Sequence, residues 1–186
     1  MNINKTVFEQ FPVIQTERLL LRQIQLKDAV EIMQMRQNKR VNQFIARNSM
    51  TGVEAAEELV KKTSDAFESK AAIGWAGILR DGSEIIGTCG FNRIDYPNNR
   101  AEIGGELSVD YWGKNIALEA VRAIVSFGFE KMNLHAIEAF VSPGNRGAIF
   151  LLESLGFEKE AHFKDRVYFN GTYQDMAVYT LFRSKV

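Results

Sequence analysis

Residues Glu102 to Ala120 read Glu-Ile-Gly-Gly-Glu-Leu-Ser-Val-Asp-Tyr-Trp-Gly-Lys-Asn-Ile-Ala-Leu-Glu-Ala. The pattern predicts a strand that runs into a tight turn and straight on into a helix. The first turn of a helix carries unpaired N–H groups and the positive end of the dipole, so it is a ready anion site. Gly113 has no side chain to block the close approach of a phosphate, and Asn115 tolerates left-handed backbone better than most residues. The same residues also suit a plain strand–helix turn, so Gly-x-Asn alone decides nothing.

The flanking patterns say what sheet this unit belongs to. Arg18 to Ile24 alternates as a strand, and Leu26 to Arg36 has helical spacing. Thr51 and Glu54 predict a capping box for a helix lined by Ala56, Leu59, Val60 and Phe67. Ala72 to Leu79, Ile85 to Ile94 and Ala101 to Val109 are joined by turn residues at Asp81-Gly82 and Pro97-Asn98-Asn99, which predicts an antiparallel meander. A helix follows with Ile116, Ala120, Ala123, Ile124 and Phe127 on one side. Leu134 to Val141 is the next strand, and Arg146 to Leu155 a short helix stopped by Gly156. Lys159 to Phe169 and Thr172 to Phe182 form a hairpin about Asn170-Gly171, a pair suited to a type I′ turn. The expectation is a mixed α/β (α+β) sheet of about seven strands, mostly antiparallel, with one strand–helix–strand crossover between Val109 and Leu134.

Length and composition narrow the function. The chain has 186 residues, without repeats or linkers, and reads as a single domain over 1–186. Lys+Arg and Asp+Glu are both 23, which argues against a general nucleic-acid binder. With Cys89 the only cysteine, no internal disulfide can form, which fits a reducing compartment. The N-terminus lacks the pattern of a leader, and no apolar run is long enough to span a membrane, so a cytoplasmic protein is expected.

Several pieces in order then carry a resemblance. They are Thr16-Glu17-Arg18-Leu19-Leu20-Leu21-Arg22, Ile86-Gly87-x-x-Gly90, Ala101-Glu102-Ile103-Gly104, Tyr111-Trp112-Gly113-Lys114, Asn145, Leu155-Gly156-Phe157 and Gly171-x-x-x-Asp175. From Thr16 to Phe182 the chain resembles the ribosomal-protein N-acetyltransferase branch of the GNAT superfamily. The resemblance implies the GNAT fold, in which two splayed strands admit the pantetheine arm of acetyl-CoA. It implies cofactor contacts at Leu107, Ser108, Val109, Gly113, Lys114, Asn115, Ile116, Ala117 and Asn145, with the pyrophosphate in the turn Asp110 to Asn115. A backbone N–H near Leu107 would hold the oxyanion as an amine attacks the thioester directly.

The chain departs from that pattern at three places. Asn115 stands where glycine is usual, and Asp110 where Gln or Arg is common. Ala148 and Leu152 stand where relatives place a serine or a tyrosine acid. Ser142, Tyr168 and Tyr173 remain as possible acids, Tyr173 weakly, and a leaving thiolate with a free pKa of about 8.5 can depart without one.

A protonated amine needs a base. Glu106 and Glu102 share one strand face, and Glu106 is the first choice; either can instead face solvent or pair with Arg93 or Arg100. Cys89 reads as a small buried hydrophobe, and His135 and His162 have no metal-ligand spacing, so no metal is expected. Trp112 either shapes the turn or simply packs, and Lys114 and Arg146 are single cations within reach of a phosphate. The expected partner is an amine-bearing acceptor, either a protein N-terminus or a small amine. A monomer or homodimer is expected, without nucleic acid or membrane. The alternative is a coenzyme-A-binding regulatory module with little activity, for which Asn115, Ala148 and Leu152 speak.

Overall fold

The computed structural model describes residues 2–185. After a short 3-10 turn, Lys5–Phe8, come β1 (Ile14–Gln15) and β2 (Leu19–Gln23). A second 3-10 turn, Leu26–Asp28, opens α1 (Ala29–Gln37), followed by α2 (Lys39–Asn42) and α3 (Val53–Glu68). Then come β3 (Ile73–Leu79), β4 (Ile85–Asp95), β5 (Arg100–Leu107) and α4 (Ile116–Glu130). The chain ends with β6 (Ala136–Val141), α5 (Arg146–Ser154), β7 (Glu158–Phe169) and β8 (Thr172–Phe182). No helix among the described residues is long and apolar enough to cross a membrane.

The eight strands form one sheet in the order β1-β2-β3-β4-β5-β6-β8-β7. Every neighbouring pair is antiparallel except β5 and β6, which the α4 crossover makes parallel. Strand alternation gives the sheet two apolar faces. Trp75, Phe91, Ile103 and Ile137 join Ile116, Ile124 and Phe129 of α4 and Leu152 of α5 in the larger core. Ala76 and Ile85 meet Ile32 of α1 and Ala56 and Val60 of α3 on the other side. Trp75 is fully buried, and its indole N–H donates to the Pro12 carbonyl at 2.7 Å, which satisfies its one polar atom.

Several expectations shift in detail. The sheet has eight strands because β1 pairs only through Ile14 and Gln15, too short a stretch to show a period. The Thr51–Glu54 capping box does not form. The chain enters α3 extended at Gly52, which has no side chain to cap with, so the helix starts at Val53. The strand expected through Val109 ends at Leu107, and Val109–Tyr111 winds into a 3-10 turn. The hairpin turn is as read, with positive φ at both Asn170 (47°) and Gly171 (81°).

Where β3 and β4 lie together, a Cβ built on Gly90 would meet the Ile73 carbonyl oxygen at 2.1 Å and Gly74 Cα at 2.7 Å. These are backbone atoms that cannot turn aside. Gly90→Ala is therefore expected to destabilise the protein by about 3 kcal/mol, the upper end for overpacking. Urea unfolding checks this, and a loss below about 0.5 kcal/mol, the range of inert surface changes, contradicts it.

Candidate active site

β5 and β6 pair only through Arg100–Ala136, Ala101–Ile137 and Glu102–Glu138. Both strands continue, to Leu107 and Val141, so beyond Glu102 they diverge. On its other edge β5 stays paired with β4 up to Gly87–Leu107, and the Ser108 N–H donates to the Ile86 carbonyl at 2.8 Å. Antiparallel ladders alternate, so the N–H of Leu107 is directed the opposite way, into the gap. The splayed pair thus offers a strand edge of the kind an extended ligand can join.

The turn at the open end of this gap is held in an unusual backbone shape. Gly113 has φ of 72°, and a Cβ there would meet nothing within 4 Å. Asn115 is left-handed, at φ 58° and ψ 17°, and its carbonyl accepts the Glu119 N–H at 3.1 Å as the first bond of α4. Asparagine is one of the few residues with a side chain that enter this region readily, so it fills a place where glycine is usual. Ile116 is buried and anchors the helix, while Ala117 is half-buried.

One residue clamps the turn from outside. Arg18, just before β2, donates from Nη1 to the Lys114 carbonyl at 2.9 Å and from Nη2 to the Asn115 carbonyl at 3.3 Å. Its Nε pairs with Glu119 at 2.6 Å, and Glu119 also accepts from Thr16 Oγ1 and the Arg18 N–H. These donors hold the Glu119 carboxyl below its usual range, against the effect of burial. With the turn's carbonyls drawn toward Arg18, its N–H groups are the atoms left for an anion.

The remaining predicted cofactor residues each have contacts of their own. Trp112 donates its indole N–H to the Leu107 carbonyl at 2.9 Å, so it shapes the turn and does not merely pack. The Lys114 ammonium lies over the Tyr111 ring, 5.5 Å from its centre. Asp110 is exposed. Ser108 and Val109 accept the Tyr111 and Trp112 N–H groups and so close the 3-10 turn. Asn145 caps α5, its side-chain oxygen accepting from the Ala148 N–H at 3.1 Å, which leaves its amide nitrogen to donate outward. Leu152 is buried in the core and brings no acid to the gap.

The two glutamates have separate fates. Glu106 is 3% exposed, and its oxygens accept from Arg36 Nε at 2.6 Å and from Arg47 Nη2. Thr88 Oγ1 adds a longer contact at 3.4 Å. Both oxygens of Glu106 thus face guanidinium donors, so this candidate base stands ion-paired in the protein. Among the described residues Glu102 forms an ion pair only with Arg93, at 3.9 Å. Burial raises its pKa, Arg93 partly opposes this, and Glu138 beside it adds to the rise.

A second feature was not foreseen. Arg47 also donates to Asn42 Oδ1 at 2.8 Å, and Asn42 Nδ2 donates to the Arg36 carbonyl at 2.5 Å. The Arg40 guanidinium lies 5.1 Å from the centre of the Trp112 ring. A Cβ on Gly144, in the loop after β6, would stand 3.2 Å from the Phe44 ring. Residues 36–47 therefore bridge from β5 to the loop beyond β6, across the mouth of the gap.

Tyr173 lies at the tip of the β7–β8 hairpin. Its ring packs on Tyr168 at 4.9 Å, and both are exposed. Asp175 pins the bulge in β7, accepting the Asp165 N–H at 3.0 Å and pairing with His162 Nε2 at 2.7 Å. Ser142 leads into the loop that contains Gly144. Burial pushes the Cys89 thiol up to about 12, which removes it as a thiolate nucleophile. Among the described residues, no group of three or more His, Cys, Asp or Glu is placed to hold a metal.

Comparison with known proteins finds the same architecture. The acetyltransferase (GNAT) domain family matches residues 18–158. The N-acetyltransferase p20 of Bacillus licheniformis is 38% identical over 168 residues, covering 90% of this chain and 94% of that one. The N-acetyltransferase YoaA of Bacillus subtilis is 34% identical over 175 residues, covering 94% and 99%. Among solved structures, the ribosomal L7/L12 alpha-N-protein acetyltransferase RimL in complex with coenzyme A superposes with a TM-score of 0.85 at 20% identity. That match covers 92% of this chain and 98% of RimL.

Stability measurements separate the two glutamates. Removing one partner of a buried ion pair strands the other charge. The arginines keep some access to water, so Glu106→Ala is expected to lose about 3 kcal/mol, the lower end of the usual range. Glu102 behaves oppositely. Its raised pKa means that the folded state holds the proton more tightly, so its ionisation opposes folding above the unfolded value of about 4.3. Glu102→Gln should therefore stabilise the protein at pH 7, and the gain should vanish as the pH falls below that value. Denaturant titrations across pH check both, and a destabilised Glu102→Gln at neutral pH contradicts the burial argument.

Proposed function

This chain belongs to the GNAT acetyltransferase family, and within it we propose that it transfers the acetyl group of acetyl-CoA to a primary amine, with a protein N-terminus as acceptor. The observation that carries the reading is the loss of pairing between β5 and β6 after Glu102 and Glu138, with the turn before α4 standing at the open end. An extended pantetheine arm fits along β5, and the pyrophosphate fits the N–H groups of Gly113 to Ala117. Lys114 and the Asn145 amide nitrogen would add further donors to the cofactor. RimL, of the same fold, is a complex with coenzyme A.

On this reading the amine attacks the thioester carbonyl carbon. The Leu107 N–H donates to the oxygen as it gains charge. The carbon–nitrogen bond forms, the carbon–sulfur bond breaks, and the coenzyme leaves as its thiolate. Glu102 lies five residues back from Leu107 along β5, about 16 Å, so it takes the amine proton through a relay of waters, and the upward shift of its pKa makes it a better acceptor than an ordinary carboxylate. With Ala148 and Leu152 in place of a side-chain acid, the thiolate departs unaided, as a thiol of pKa about 8.5 can. The left-handed backbone of Asn115 supports a working phosphate turn over a disabled one.

Acetyl-CoA should bind in a calorimetric titration, and thiol should be released only when an acceptor amine is added. Absence of both binding and release overturns the proposal. Arg18→Ala should weaken acetyl-CoA binding about tenfold by freeing the turn's carbonyls. It should leave the use of acetyl-pantetheine, which lacks the pyrophosphate, little changed. Equal losses with both donors would mean that Arg18 supports the fold alone. Glu102→Gln should lower kcat and remove the acidic limb of the pH–rate profile, with acetyl-CoA affinity unchanged. A profile like that of the unaltered protein rules Glu102 out.

A further inference from the structure

We infer that the acceptor site also takes a free α-amino acid, whose carboxylate is seated by Arg36 and Arg47 beside its reacting amine. This rests on the acyl-transfer reading and adds a second substrate class to it. The place of attack comes first. The Leu107 N–H lies in the plane of the sheet, and a hydrogen bond to a carbonyl lies near the plane of that carbonyl's substituents. A thioester held there therefore lies along the sheet, and a nucleophile reaches its carbon from one face or the other. Ile103 and Leu107 pack against the larger core with α4, which closes that face. The amine attacks from the opposite face, where Glu106 stands one residue back from Leu107, about 3.3 Å along the strand.

The charges at this place select the acceptor. Arg36 and Arg47 carry two positive charges against the single negative charge of Glu106, so an excess cation stands beside the point of attack. Arg36 gives only Nε to Glu106, and Arg47 gives Nη2 there and Nε to Asn42. The remaining terminal nitrogens, both of Arg36 and one of Arg47, donate to no described residue. Both side chains are 22% exposed, so these donors are open to a ligand. A lone ammonium is repelled here. In an α-amino acid the carboxyl carbon lies only about 2.5 Å from the amine nitrogen, so the neutralising anion arrives with the nucleophile. A guanidinium fork matches that anion in shape and charge. The first carbonyl of a polypeptide stands in the same place but is neutral, and it draws less from the arginines. An amine with its carboxylate at the far end of a chain, as in 6-aminohexanoate, has to fold back on itself to reach them.

The test compares each protein amino acid that has a primary amine with its own amide, and all of them with 6-aminohexanoate. kcat/KM is measured with saturating acetyl-CoA and expressed per neutral amine, and affinity is measured by calorimetry with and without coenzyme A. The best amino acid is expected to exceed its amide by about tenfold or more in both, with 6-aminohexanoate lowest. Arg47→Gln leaves Arg36 on Glu106 and should bring the acid-to-amide ratio toward one while acetyl-CoA affinity holds. Arg47→Lys, which keeps the charge without the fork, should give an intermediate ratio. A ratio near one for every pair in the unaltered protein, with the amides turned over, overturns the inference and leaves acyl transfer standing. An equal loss of acid and amide in Arg47→Gln overturns it as well. Binding that depends on the carboxylate, in a protein that releases no thiol with any acceptor, would uphold the arginine seat and reject acyl transfer.

Discussion

Two parallel strands that stop pairing after three residue pairs create an obligation. Backbone N–H and C=O groups of β5 beyond Glu102 face a gap, and such groups need a partner or water. The rest of the architecture fits around that gap. β4 holds the other edge of β5 and so fixes which N–H groups face outward. The α4 crossover makes β5 and β6 parallel and brings a helix N-terminus to the open end. α5 and its Asn145 cap stand beyond β6. The larger apolar core, from Trp75 to Leu152, lies behind and keeps the sheet from closing the gap by collapse.

Two polar networks then fix the rims. On the α4 side, Arg18 takes the carbonyls of Lys114 and Asn115, with Glu119 and Thr16 holding it in place. On the opposite face, Glu106 ties Arg36 and Arg47 to β5. The first arranges donors for an anion at the end of the gap. The second places a segment across its mouth. Each uses one carboxylate as a fixed point, which separates the positioning acids Glu119 and Glu106 from Glu102, whose carboxyl stays loosely paired.

The sheet was largely legible because its signals are local. The alternation of β3 to β5, the Asn170-Gly171 turn and the strand–turn–helix around Gly113 all lie within short windows. The left-handed turn at Gly113 and Asn115 was legible for the same reason. What was not legible depends on long-range pairing. Glu106 meets residues 59 and 70 positions away, and nothing in the spacing of Glu102 and Glu106 shows which will be neutralised. Arg18 stood within a quoted motif, yet its partners lie 96 and 97 residues on. β1 and α2 are too short for a period, and the capping box at Thr51 lost to an extended entry at Gly52.

Amide hydrogen exchange with and without coenzyme A addresses the central claim most directly, because it reads the backbone groups themselves. Protection is expected at Leu107 and at Gly113 to Ala117, with Asn145 responding beyond the gap. Protection confined to the groove between Val7 to Gln15 and α4, with Leu107 unchanged, would contradict the account.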